Sequence, residues 1–125
     1  MNTPRQRLLA VVLAIALPLA SAQTVPQASA GLMPNPAQGK RLFEKNCAAC
    51  HGQDLKGSDK GPPMLHPVYA PSHHGDGSFQ MAVRHGSRAH HWKFGDMPPV
   101  PGVSADEVAH ITAYVRQQQR AVGIQ

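Results

Sequence analysis

The pentapeptide Cys47-Ala48-Ala49-Cys50-His51 constrains this chain more than any other feature. It uses both cysteines of a 125-residue sequence, two residues apart, with a histidine directly after. Such a run reads as a c-type haem attachment site. Each thiol can bond one vinyl group of a single porphyrin, and the histidine can place an imidazole nitrogen on the iron. Three other uses of the cysteines compete. A redox C-x-x-C ends a buried strand and opens a helix, whereas a polar, helix-like stretch precedes Cys47. A zinc site needs two further ligands. His73-His74 or His90-His91 could supply them, but the spacing matches no familiar zinc pattern. A disulfide across two intervening residues is rarer still.

The N-terminus reads as a targeting segment. Arg5 and Arg7 precede an unbroken apolar run, Leu8 to Leu17, and Ala20-Ser21-Ala22 is a small-x-small cleavage site. Residues 1–22 are therefore expected to be a secretory signal peptide, with cleavage near Ala22/Gln23 and a periplasmic destination. The alternative is a retained anchor, but the run is shorter than the ~20 apolar residues a membrane span needs. Without residues 1–22, ten basic groups face seven acidic ones, for a net charge of +3. Two haem propionates would bring that close to neutral. No Lys/Arg run exists to track phosphates, so nucleic-acid binding is excluded. Aromatics are scarce and the chain is short, so a large apolar cofactor would supply much of the missing core.

Residues 23–34 read as a flexible lead-in, and residues 35–125 as one domain. Asn35 followed by Pro36 predicts a helix start. Residues 52–75, rich in Gly and Pro, predict loop. A second helix is expected from Asp76 or Gly77 to His85, closed by Gly86, with Phe79, Ala82 and Val83 as its apolar face. The stretch from Ser87 to Pro101 is again loop. Ser104 and Glu107 form a capping box for the last helix, where Val108, Ile111, Val115 and Gln118 repeat at helical spacing. Gly123 is expected to end it.

On these residues the chain resembles the monohaem class I cytochromes c, over about residues 35 to 122. The resemblance rests on Cys47-Ala48-Ala49-Cys50-His51, on Gly39 and Phe43 in the helix before it, and on Met97-Pro98. It implies an all-α fold in which the N- and C-terminal helices cross at close range and loops wrap one haem. It places an aromatic of the last helix near Tyr114. It also implies that a proline carbonyl in Gly61-Pro62-Pro63 orients the proximal His51 through its second ring nitrogen, with Pro62 and Pro63 both candidates.

His51 takes one axial position. Met97, 46 residues later in Gly95-Asp96-Met97-Pro98-Pro99, is the strongest candidate for the other. Pro98 stiffens the backbone at Met97, and Gly95 is expected to permit close backbone approach. The loop also resembles the family's Met-Pro ligand loop. Core filling is the competing use of any methionine. Met64 is the decoy, on a segment expected to pack near the proximal side. His/Met ligation raises the potential and fills both axial positions. The expected function is one-electron transfer between periplasmic redox proteins, a donor and an acceptor, by a monomer that is not an enzyme.

His66, His73, His74, His85, His90, His91 and His110 answer to neither the haem nor the helix packing in this reading. They are either solvated loop residues or, for His73, His74, His90 and His91, a second metal site suited to copper or zinc. The alternative function is then a haem protein acting in metal handling or sensing. His90 or His91 could also replace Met97 on the iron.

Overall fold

The computed structural model describes residues 23–125, and the expected signal peptide at 1–22 lies outside them. Helix α1, Pro36–Asn46, starts where the Asn35 carboxamide accepts the N–H groups of Ala37 and Gln38. That cap supplies partners for two of the four donors a helix start leaves unpaired. Cys47 breaks the helix, and one further turn, α2, spans Ala48–His51. A loop with a single 3-10 turn at Pro67–Tyr69 leads to α3, Asp76–His85. Helix α4, Ala105–Ala121, opens on the complete Ser104/Glu107 capping box. The described residues contain no sheet, only a two-residue antiparallel pairing of Ser87 with Met97. No described helix is long and apolar enough to cross a membrane. The all-α expectation is met.

The crossing of α1 and α4 is the main helix contact, and Gly39 makes it possible. A Cβ at Gly39 would lie 1.9 Å from the His110 carbonyl oxygen and 2.9 Å from the Tyr114 Cβ. One turn on, the Phe43 and Tyr114 rings pack with centroids 5.8 Å apart at 58°. Phe43, Leu55, Ile111 and Val115 complete the buried centre of the fold. His110, grouped from sequence with histidines the packing does not need, is a correction. It is buried at this crossing, where its Nδ1 accepts the Asn35 N–H at 2.8 Å.

The buried face of α4 also differs from the apolar stripe read in the sequence. Gln118 is only half-buried. Besides His110 and Thr112, the polar side chains Arg116 and Gln119 go inside. Gln119 Nε2 donates to the carbonyls of Met64 (3.0 Å) and Tyr69 (3.1 Å). Arg116 donates to Asp76 Oδ1 (2.9 Å), to the Tyr69 carbonyl (2.6 Å), to Gln119 Oε1 (2.7 Å) and to the His74 carbonyl. Its guanidinium also lies 4.9 Å from the centre of the Phe79 ring. The 52–75 loop has little helix or strand to satisfy its own carbonyls, so α4 supplies the donors. Residues 23–34 have no helix or strand, but Ser29 ties them to α4 through Asp106, with its N–H at 2.6 Å and Oγ at 2.8 Å.

Candidate functional site

A cavity of about 490 Å³ opens between α1, the attachment turn, α3, the 86–98 loop and α4. That volume lies within the ~300–1,000 Å³ typical of small-molecule and cofactor sites. Phe79, Ala82 and Val83 are half-buried because their face of α3 lines this space rather than another helix. Phe43, Val108, Ile111 and Val115 line it from α1 and α4.

Cys47, Cys50 and His51 reach the same cavity from one turn of helix. Both thiols are free. Burial, and secondarily the neighbouring Cys50, pushes the Cys47 thiol up to about 11. A redox-active C-x-x-C needs the opposite shift, because its nucleophile is the thiolate. Gly61 lets the loop close against this turn, since a Cβ there would meet the Cys50 carbonyl at 3.0 Å.

His51 Nδ1 lies 2.9 Å from the Pro62 carbonyl oxygen. A carbonyl can only accept, so Nδ1 carries the proton and donates it. The other nitrogen, Nε2, is then left with its lone pair. Burial holds the imidazole below its ordinary value, against a smaller upward pull from the Pro62 carbonyl. A neutral imidazole with its far nitrogen on a backbone carbonyl is the form that ligates a metal. Of the two prolines left open by the sequence, Pro62 makes this contact. Pro63 sits one residue on, with its nitrogen packed against Gly57.

Met97 also lines the cavity, and its backbone is fixed from two directions. Its N–H donates to the Ser87 carbonyl at 2.8 Å, and its own carbonyl accepts the Ser87 N–H at 2.9 Å. The close approach expected at Gly95 is found at Gly86 instead, which is a correction. A Cβ at Gly86 would lie 2.6 Å from the Met97 carbonyl, whereas nothing lies within 4 Å of one at Gly95. Gly95 serves through its φ of +87°, which L side chains rarely adopt. Gly86 looked like an ordinary helix stop because its second role depends on a residue eleven positions away. Met64 lines the cavity too, but it is buried in the core cluster beside Phe43, Ala48 and Leu55.

These residues fit a covalently held haem. The walls are apolar, two thiols and a neutral imidazole arrive on one turn, and a thioether arrives from a separate loop. One orphan supports the fit. The Trp92 Nε1–H is buried at the cavity and, among the described residues, has no well-formed hydrogen bond, although it lies near enough to the Tyr69 hydroxyl to pull that phenol down against the upward push of burial. It is the kind of donor a propionate would use. His66 holds the indole edge-on, with ring centres 4.9 Å apart, and its Nδ1 accepts the Val68 N–H at 3.2 Å. His66 therefore has a packing role that the sequence did not suggest. Sequence reasoning also gave no role to Trp92, although it was the only tryptophan in the chain and lay inside the loop predicted from Ser87 to Pro101.

The four histidines of the suspected second site come together. His73 and His91 approach within 3.2 Å, Nε2 to Nε2, and His74 and His90 within 3.4 Å. His85 stays apart, exposed at the end of α3.

Residues 36–119 match the family described as Cytochrome c. No curated protein and no solved structure matches the chain.

Proposed function

The chain belongs to the cytochrome c family, and from that premise we propose that it is a periplasmic one-electron carrier with His51 and Met97 as its axial ligands. Family membership makes it a haem electron carrier with one covalently attached c-type haem. The finer reading is supported above all by one observation: His51 and Met97, each with its backbone or second ring nitrogen already committed, line one apolar cavity. The haem supplies reversible one-electron chemistry when bound. The protein's part is to hold the imidazole neutral and oriented, to hold the thioether on a stiff loop, and to keep water out of an apolar chamber. Were His51 and Met97 both to hold the iron, no position would be left open on it, which would favour electron transfer over enzymatic turnover of oxygen or peroxide.

The apolar run after Arg5 and Arg7 supports export to the periplasm, with removal of residues 1–22. Partners are then periplasmic redox proteins, one donor and one acceptor, met by a monomer. The absorption spectrum of the oxidised holoprotein tests the ligand assignment. A weak sulfur-to-iron band in the far red, lost in Met97→Ala and kept in Met64→Ala, is expected. The reverse pattern would transfer the ligand role to Met64, and a band absent from the wild type would exclude methionine altogether.

A further inference from the structure

The fold brings His73 and His74, just after the 3-10 turn, against His90 and His91, on the loop after α3. Ring nitrogens of His73, His74 and His91 all lie within 4.8 Å of one another. The fourth, His90, places Nε2 at 3.4 Å from His74 Nε2. Two ligands ~2.05 Å from a tetrahedral ion sit about 3.3 Å apart. The two histidine pairs, at 3.2 Å and 3.4 Å, already have that spacing.

The protonation pattern points the same way. His74 Nδ1 lies 2.6 Å from the Val68 carbonyl, and His90 Nδ1 lies 2.7 Å from the Arg88 carbonyl. Carbonyls accept only, so both Nδ1 atoms carry the protons. In the neutral rings both Nε2 atoms are then bare lone pairs, and they face each other. Two lone pairs at hydrogen-bond distance repel unless a proton or a metal cation lies between them. His91 is held below its ordinary value by desolvation and then by the neighbouring His90, His73 and His74. A backbone carbonyl on the far nitrogen is how metal-binding histidines are commonly oriented.

The site is built rather than incidental. The N–H groups of His73 and His74 both donate to the Ala70 carbonyl, at 2.9 Å and 2.8 Å. The buried Arg116 guanidinium holds the His74 carbonyl. On the other strand of the site, Asp96 Oδ1 accepts the Ala89 N–H at 2.9 Å, just before His90. His73 and His91 are exposed, so an ion can enter from solvent, while His74, His90 and His91 also line the haem cavity.

We propose that His73, His74, His90 and His91 form a second metal site at the rim of the haem cavity, taking a divalent late first-row transition ion through imidazole nitrogens. Among such ions copper(II) binds tightest at an all-nitrogen site, although it prefers a tetragonal arrangement where the observed spacing is tetrahedral, and it is the one whose nitrogen ligands can be counted by its spectrum. The site uses neither His51 nor Met97, the two residues assigned to the iron.

The test is titration of the untagged holoprotein with copper(II), followed by calorimetry and electron paramagnetic resonance. One ion per protein is expected, with splitting from at least three nitrogens. The double variant His73→Ala/His91→Ala should weaken binding by roughly 100-fold or more, and His85→Ala should leave it unchanged. The haem absorption spectrum of each variant shows whether the fold and the iron site are intact. Weak binding that the double variant does not alter would overturn the site. So would a His91→Ala variant that loses the wild-type axial spectrum, because that histidine would then belong to the iron. Failure of the metal site leaves the far-red band of the wild type unaffected, so it is distinguishable from failure of the His51/Met97 assignment.

Discussion

Replacing Gly39 with alanine tests whether the α1–α4 crossing organises this fold. The added Cβ would sit 1.9 Å from the His110 carbonyl oxygen, where real contacts stay above about 3.0 Å. The obstacle is backbone, so no side chain can swing away, and the helices must part by about 1 Å. A gap of that size forfeits a quarter to a half of each dispersion contact across the interface. With roughly 40 atom pairs at ~0.15 kcal/mol each, the loss is about 1.5–3 kcal/mol. That range agrees with the ~1–3 kcal/mol typical of overpacking. Alanine recovers up to about 1 kcal/mol of helix propensity. The net destabilisation is about 1.5 kcal/mol, which lowers the melting temperature of a domain this size by about 6–12 °C. Thermal melts of the holoprotein, followed by circular dichroism at the helix band, measure it. Gln38→Ala, at the exposed neighbouring position, is the control and should melt near wild type. A Gly39→Ala protein that melts with the wild type, or above it, would refute the argument. Propensity would then outweigh the contact.

Cys47 and Cys50 should each be thioether-bonded, so denaturing mass spectrometry should find one retained haem and no free thiol. Haem that acid-acetone extracts would contradict this. Met97→His should lower the midpoint potential, because imidazole stabilises ferrous iron less than a thioether does; an unchanged potential would mean Met97 is not on the iron. Arg116→Met should destabilise by about 3 kcal/mol, because the His74 carbonyl and Gln119 Oε1 lose their donor while the Tyr69 carbonyl keeps only Gln119. A loss below about 1 kcal/mol would show that water replaces the guanidinium freely. The Ser29 N–H and hydroxyl hold the Asp106 carboxyl below its ordinary value. A depressed carboxylate stabilises the fold above its unfolded value, about 3.9, and that contribution disappears as pH falls through the folded value. The melting difference between wild type and Asp106→Ala should therefore shrink between about pH 5 and pH 3, and a pH-independent difference would rule out this linkage.

The features legible in the sequence are those carried by chain neighbours. The attachment turn needs only five consecutive residues. The Asn35 and Ser104/Glu107 caps act over three, and the end of α3 at Gly86 over one turn. Such features are legible because their partners lie within reach of the local backbone, whatever the rest of the chain does. The tertiary structure decided everything whose partner is distant. Pro62 rather than Pro63 reaches His51 because of how the loop closes over eleven residues. His110 became a core residue because Asn35, seventy-five positions earlier, needed an acceptor. Gln119 and Arg116 went inside, against their polarity, because the 64–74 loop brings carbonyls to α4 that only side chains can satisfy. Two pairs of histidines, each ordinary in its own loop, were placed ring to ring. A hydrogen-bond donor or a lone pair has no preference that a one-dimensional pattern can reveal until the fold sets the atom opposite it.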